Sequence, residues 1–385
     1  MPAFTGQLNA NEIFASLYNM IISQEIYADN IEGEDLVDKA RVDGSLYGDT
    51  KLYYSTDALY SSEWGNDAEA TNLLAINRPK APEVQAIQLD VFRQIEVTVD
   101  NYLSKRAWVD EGAFATFNSV ILGWLSDTKK IYDGTTYNVF MGTETSTATV
   151  NTIEVDLEAD GNSAGENLGV AIANLFSALN DYSRDFNDYG HMRKYAKSRV
   201  KVLWNSDYLN TVKKIDLPSI FHNSELEASF VGDDMVPKYW GITITASNVA
   251  TYSDSTPTTG KPIKSSDSTY VPGTNHANGC LRAVVEKSVT VGGTAYHVFP
   301  GEEIPAGATV KATGNFELGE VYIVQDDIIG KVYIKLPPYM SAFQVGTSFF
   351  NPKSLTENHY LTFGHNTLEH LKNYPFITLK KKASA

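Results

Sequence analysis

The 385-residue chain contains a single cysteine, Cys280. One thiol excludes an intrachain disulfide framework and a cysteine-rich zinc site. Charge is sparse: 20% of residues are charged against 43% hydrophobic, a balance that argues for packed cores and against global disorder. No apolar run reaches the roughly 18 residues that a membrane-crossing helix needs. The opening MPAFTGQLNANEIF lacks the basic-then-apolar order of a secretory signal. The expectation is a chain made and folded in a reducing cytoplasm. Basic residues are the minority, and the formal net charge is −16. Such a chain repels polyanions rather than holding them. Catalytic signatures are missing too: no phosphate loop, no GxGxxG between strand and helix, and no GxSxG elbow.

What is there is pattern. From Asp110 to Tyr132 the chain reads DEGAFATFNSVILGWLSDTKKIY. Phe114, Phe117, Val120, Ile121, Trp124, Leu125, Ile131 and Tyr132 recur at helical spacing, which predicts one apolar stripe on a helix about 35 Å long. Asp110 and Glu111 suit its N-terminal end and Lys129 and Lys130 its C-terminal end, with Gly134 as a stop. Before it, IQLDVFRQIEVTV (Ile87 to Val99) alternates with period two. That predicts a strand of about 13 residues, near 40 Å, against a usual strand of about 5–6. A strand this long overshoots a compact domain, so it reads either as a long sandwich strand or as an arm laid on another subunit. The Tyr/Ser/Asp-rich stretch before it supplies Tyr53, Tyr54, Tyr60 and Trp64 as contact surface.

Other elements follow from local signals. Ala10 to Tyr27 predicts an amphipathic helix, a core helix or an arm on a neighbour, followed by acidic sequence. Tyr137 to Asp156 is Thr-rich and reads as strand. Ser163 and Glu166 form a capping box for a helix extending to Tyr189, with Gly190 at its end. VKVLW (Val200 to Trp204) is a short buried strand, and Asn205 or Ser206 caps a helix over Asp207 to Ile215. Ser247 to Gly279 reads as a surface loop or insertion, and Leu281 to Leu318 as β-rich with a Gly292-Gly293 hairpin turn. VYIVQ and KVYIK are strands joined around Asp326-Asp327. A short helix near Thr367 to Lys372 and a last strand, FITLK, close the chain.

The candidate chemistry is thin. Cys280 and His276 make a weak nucleophile pair. Glu357, His359, His365, Glu369 and His370 cluster in sequence. His365 and Glu369, four apart, would share one helical face, but no HExxH and no third ligand accompanies them. Polar contact at an interface is the favoured reading. Asp233-Asp234 and Asp326-Asp327 read as turn residues, since neighbours on a strand point to opposite faces. The basic run Arg193, Lys194, Lys197, Arg199 with Lys201 could face phosphate, with Tyr195 interleaved, or balance acids of its own chain, and a salt-bridge patch toward a neighbouring subunit is the favoured reading. No catalytic residue, cofactor or metal is assigned.

The order of parts (helical arm, long β arm, long amphipathic helix, α/β core, β return, closing strand) resembles the major capsid protein family of tailed bacteriophages, with the Hong Kong 97-type shell fold. VLWNSDYLNTVKK (Val202 to Lys214) is similar to the family's strand, turn and helix, and YPFITLKK (Tyr374 to Lys381) to its habitual ending. The resemblance implies an α+β fold with an N-arm over 1–43, an extended β loop over 44–100, and a peripheral domain with a spine helix over 101–136. It further implies an axial domain over 137–240, a β-rich insertion over 241–318, a peripheral return over 319–365, and an axial closing strand and tail over 366–385. It implies hexamers and pentamers of this chain in an icosahedral shell around double-stranded DNA, located in the virion and assembled in the host cytoplasm. Partners would be other copies, a portal, and a separate scaffold or decoration protein where one is used. No charged helical segment precedes the arm, which argues against a fused scaffold. DNA would be enclosed without specific binding, and no membrane is involved. Subunit contacts are expected at Tyr53, Tyr54, Tyr60, Trp64, Arg93, Arg193, Lys194, Lys197 and Arg199. The competing readings are another virion or surface structural protein, such as a tail component or adhesin, and a hydrolase with an acidic site.

Overall fold

The computed structural model describes residues 35–44, 50–61, 76, 78–100, 111–144, 152–158, 163–215, 232–245, 263–264, 269–270, 281–305, 308, 310 and 315–383. The expected helix over Ala10 to Tyr27 lies outside them.

Helix α1 (Asp35–Ala40) runs into strand β1 (Arg41–Asp43). Next come β2 (Thr50–Ser55), β3 (Glu83–Gln88) and β4 (Val91–Asp100). Helix α2 (Glu111–Gly142) is followed by β5 (Thr143–Glu144), β6 (Thr152–Val155) and helix α3 (Ala164–Leu179). Then follow β7 (Lys201–Asn205), helix α4 (Ser206–Ile215), β8 (Asp234–Met235) and β9 (Gly241–Thr243). Short strands β10 (Ile263–Lys264) and β11 (Thr269–Tyr270) precede β12 (Leu281–Ala283), β13 (Lys287–Val291) and β14 (Thr294–Val298). The chain ends with β15 (Val321–Val324), β16 (Ile328–Tyr333), β17 (Tyr339–Asn351), β18 (Thr356–Thr367) and β19 (Phe376–Lys381).

Several expectations are corrected. The single strand over Ile87 to Val99 is two strands, β3 and β4, broken at Leu89-Asp90. Leu89 is buried there, and β4 pairs along its whole length with β18. The long helix does not stop at Gly134. Buried Tyr137, Val139 and Met141 carry it on to Gly142, where the expected strand region should already have begun. Tertiary burial overrides the weak helix propensity of the Gly/Thr stretch. Helix α3 ends at Leu179, capped by Asn180, so Tyr182 and Phe186 are not on it. Residues near Thr367 to Lys372 form no helix.

The chain divides into two compact units. The first comprises Met1–Asp49, Gln88–Gly134 and Tyr339–Asn366. Its sheet has the order β1-β17-β18-β4, with β1 parallel to β17 and β18 antiparallel to β4. Leu125 and Tyr132 of α2 bury against Leu361 and Phe363 of β18, with Ile95 and Val97 of β4 beside them. Between those two anchors Lys129 is also buried. Its ammonium lies 2.6 Å from Asp133, one helical turn on, and the Tyr339 hydroxyl donates to the same carboxylate at 2.6 Å. Lys129 is therefore a core partner of Asp133 rather than a helix-end cation. The Tyr132 hydroxyl meets His365 Nε2 at 2.8 Å, and burial pulls the His365 pKa down to about 4.

The second unit comprises Thr50–Ile87, Thr135–Pro338 and Thr367–Ala385. Its larger sheet is ordered β6-β19-β16-β7-β8. Helix α3 lays Leu168, Ile172, Leu175, Phe176 and Leu179 on this sheet against Val202, Trp204, Val332 and Ile377. The capping box is present as read: Ser163 Oγ accepts from the Glu166 amide, and the Glu166 carboxylate accepts from the Ser163 amide. A second sheet, β12-β15-β9-β5, encloses a separate core of Ile244, Leu281, Val289, Val298, Phe316, Val321 and Ile323. The β13–β14 hairpin turns at Gly292 and Gly293, both at positive φ, as the sequence suggests. At the end of α2 a Cβ on Gly142 would sit 2.0 Å from the Tyr239 carbonyl oxygen, so only glycine permits that approach.

Strand β16 carries a fully buried lysine. Lys331 Nζ donates to the Thr143 carbonyl at 2.8 Å and lies 5.0 Å from the Phe376 ring centre. Burial pulls its pKa down from 10.5 to about 7. The unfolded chain holds this proton up to the higher value while the folded chain releases it near the lower one. Stability therefore rises with pH across that window. Lys331→Met is expected to flatten the rise in melting temperature between pH 7 and 10.5; a variant that climbs as steeply as the parent contradicts the assignment.

Candidate functional site

The strongest candidate is a surface rather than a pocket. Strands β2 and β3 form a two-stranded sheet on their own. In both strands exposure alternates along the chain, so one face is turned outward. That face shows Leu52, Tyr54 and Val84, and beyond β2 the chain exposes Leu59 and Tyr60. Tyr54 is 63% exposed and Tyr60 92%. A lone two-stranded ribbon is marginal in water, and aromatics of this size are seldom left uncovered.

The root of the ribbon is held by a dense polar clamp. The Ser55 hydroxyl donates to Asn373 Oδ1 at 2.7 Å, which leaves its oxygen to accept from His191 Nδ1 at 2.8 Å. In that arrangement the imidazole donates to the serine instead of drawing its proton, so the pair is not set up as a nucleophile and base. Asn187 fixes the His191 backbone through two 2.8 Å bonds. Arg193 donates to the Thr56 carbonyl and, at 3.3 Å, to Asn373 Oδ1. Asp57 accepts from Arg184 at 2.7 Å and from the Met192 and Ala58 amides. The Arg184 guanidinium, aided by the Met192 amide, holds the Asp57 carboxyl well below the usual carboxylate range. On β3, Gln85 bonds the His370 carbonyl and the Lys372 amide.

The expected contact residues separate accordingly. Tyr53 is half-buried, with the Lys335 ammonium 6.0 Å from its ring centre, while Tyr54 and Tyr60 face outward. Trp64 lies outside the described residues. Arg93, in the first unit, lies over the Tyr132 ring at 5.6 Å. Arg193 is part of the clamp within its own chain, and Lys194 lies over Tyr182 at 5.5 Å. Lys197 and Arg199 are exposed on a single 3-10 turn. Within the chain the members of the basic run thus make different contacts. Ser55, Asp57, Arg184, His191 and Asn373 went unnoticed in the sequence. Their partners lie 136 and 318 positions away for Ser55 alone, and no local spacing signals that.

The histidine cluster does not assemble. His365 sits in β18, in the first unit, and no helix joins it to Glu369. His370, in the second, has Nε2 2.6 Å from Asp188. Among the described residues no three His, Cys, Asp or Glu side chains gather to hold a metal, and no helix is long and apolar enough to cross a membrane. Asp326-Asp327 form the turn between β15 and β16, and Asp233 accepts from the Tyr333 hydroxyl at 3.3 Å. Cys280 and His276 lie outside the described residues.

No family model matches the chain, and no curated protein sequence matches it. Solved structures do match. A chain of the capsid of Staphylococcus phage Andhra superposes with a TM-score of 0.59, covering 94% of this chain and 87% of its own at 10% identity. The chain has the Hong Kong 97-type capsid fold. A chain from the structure of the head fibre and inner core protein gp22 of native bacteriophage P68 aligns at 0.55, covering 93% and 88% at 10% identity. At such identity the likeness is one of fold, and it spans nearly the whole chain.

The clamp predicts a local effect. Arg193→Ala is expected to cost about 1–3 kcal/mol of local stability, since it removes charge-assisted bonds at the ribbon root. Amide exchange over 50–57 should quicken roughly tenfold or more, and Lys197→Ala should leave it unchanged. Equal exchange in the two variants contradicts the clamp.

Proposed function

We propose that this chain is the major capsid protein of a tailed bacteriophage, assembling as hexamers and pentamers into an icosahedral shell that encloses double-stranded DNA. The role is structural, without catalysis. The observation that carries it is the β2–β3 ribbon: a rooted, two-stranded sheet with Leu52, Tyr54 and Val84 exposed on its outer face and Tyr60 beyond it, on a fold shared over nearly its whole length with a phage capsid chain. Another subunit is the cover that fits, because obligate interfaces between copies run to about 2,000 Å² or more and are rich in apolar and aromatic contact.

In this reading the extended loop spans 44–100 and contains the ribbon, and Tyr54, Tyr60 and Trp64 meet the neighbouring subunit. Tyr53 supports the ribbon from below. Arg93, Lys194, Lys197 and Arg199 are secondary contacts, and Arg193 serves within its own chain. The N-arm occupies 1–43, the spine helix is α2, and the axial domain is built on the β6-β19-β16-β7-β8 sheet, with the β-rich insertion over 241–318. Portal and scaffold or decoration proteins are further partners in the virion, after assembly in the host cytoplasm. The net charge of −16 suits an inner wall along which packaged DNA moves without specific binding.

Expression of the chain alone, followed by sedimentation and negative-stain microscopy, tests this. Closed shells or hexamers are expected; tubes, fibres or a monomer at every concentration refute it. The double variant Tyr54→Ser/Tyr60→Ser should melt within a few degrees of the parent yet lose most of its particles. Undiminished assembly would remove the ribbon from the interface.

A further inference from the structure

Strand β17 is the longest strand described, at 13 residues, and among the described strands only its first three residues are paired on its outer side. Strand β1 reaches Tyr339, Met340 and Ser341, and the Gly44 amide donates to the Ser341 carbonyl at 3.4 Å. Beyond that point no described strand lies on this side. Every residue from Gln344 to Phe350 is exposed, including Val345 (40%), Phe349 (61%) and Phe350 (48%). An open strand edge is a template for pairing, and proteins that stay apart protect it with charge, proline or a bulge. β17 has no charged residue and no proline. The opposite edge of the same sheet, β4, carries Arg93, Glu96 and Asp100.

We propose that this edge pairs with the same edge of a second copy, antiparallel about a two-fold axis at Thr347, extending the sheet across two subunits. Two independent features select that register. The first is backbone parity. The Ser341 carbonyl points outward, so alternation along the strand turns the amides and carbonyls of Val345, Thr347 and Phe349 outward as well. A two-fold axis at Thr347 lets that residue exchange both bonds with its own copy. It also pairs Val345 with Phe349 of the partner subunit and the reverse, for about six main-chain bonds. The second is side-chain complementarity. The sequence QVGTSFF then sets Val against Phe, Gly against Ser and Thr against Thr, all favourable or neutral cross-strand neighbours. Shifting the axis to Gly346 or Ser348 puts inward-facing amides at the centre and opposes Thr347 to Val345 or Phe349. A contact of this size is below the standard area for a stable dimer, so its strength comes from repetition among linked copies. The inference rests on the shell reading for that repetition.

Disulfide trapping tests it. In a Cys280→Ser background, Thr347→Cys places two thiols on directly opposed residues, about 5.5 Å apart at Cα and within disulfide reach. Mild oxidation of the assembled protein is expected to convert most chains to covalent dimers. Val345→Cys alone should give few, because its opposite residue is Phe349 of the partner subunit, and Val345→Cys/Phe349→Cys should restore cross-linking. Failure of Thr347→Cys to dimerise, or equal dimerisation by Val345→Cys alone, overturns the inference. Microscopy of the same samples separates it from the shell reading: shells without the bond overturn the edge contact and leave the shell, whereas bonded dimers that never form shells support the edge and overturn the shell.

Discussion

A carboxylate buried in the first unit must be matched, and the matching sets the rest of that unit. Asp133 is almost wholly enclosed, and an ionised carboxyl there is tolerable only with close partners. Lys129 supplies one from the preceding helical turn and Tyr339 another from the first residue of β17, with Arg41 of β1 3.8 Å away. Three elements far apart in sequence thus meet at one group. Their meeting fixes where α2 lies along the sheet and which end of β17 it covers. Tyr339, Met340 and Ala342 are buried as a result, and Gln344 to Phe350 are left to solvent. The open edge is therefore a consequence of how the core is registered.

A similar logic governs the ribbon of the second unit. Two strands cannot bury enough apolar surface to order themselves. Here the ordering is imposed at the root, where Ser55, Thr56 and Asp57 are bonded by His191, Arg193, Arg184 and Asn373, and at Gln85. Such bonds fix direction without hiding the outer face. The ribbon is held in place and left unfinished, which is the state a protein needs if a neighbour is to complete it. Polar clamps suit this task better than apolar ones: their geometry is directional, and their partners are satisfied whether or not the neighbour has arrived.

Much of this was legible in the sequence where the determining interactions are local. The Ser163–Glu166 box, the Gly292-Gly293 turn and the strand–turn–helix of Lys201 to Ile215 were all read from neighbouring residues, and the capsid fold from their order. What escaped was set at long range. Tyr137, Val139 and Met141 extend α2 because the fold buries them, although Gly134 and the threonines argue for a stop. The long alternation from Ile87 to Val99 concealed a break, since Leu89 is buried and period two cannot reveal where a strand changes partner. Arg193 resembled its basic neighbours and differs only in what folds back to meet it. β17 went unread because its exposed half has apolar residues on both faces, a pattern without a single period to read.

Net charge constrains how such chains can meet. Copies carrying −16 repel one another, and at physiological salt the repulsion reaches about 8 Å before screening weakens it. Contact surfaces must then be locally poor in charge and must gain from short-range terms, backbone bonds and apolar burial, that act inside that distance. The two open surfaces meet this condition. β17 has no charged side chain, and on the ribbon strands Glu83 is paired with Lys80 at 2.9 Å and Lys51 is only half-exposed, while Leu52, Tyr54 and Val84 face outward. Acidity spread over the remainder disfavours every other mode of approach, since like charges penalise any docking that brings acidic faces together. The same charge that would keep isolated copies apart therefore narrows their association to a few geometries.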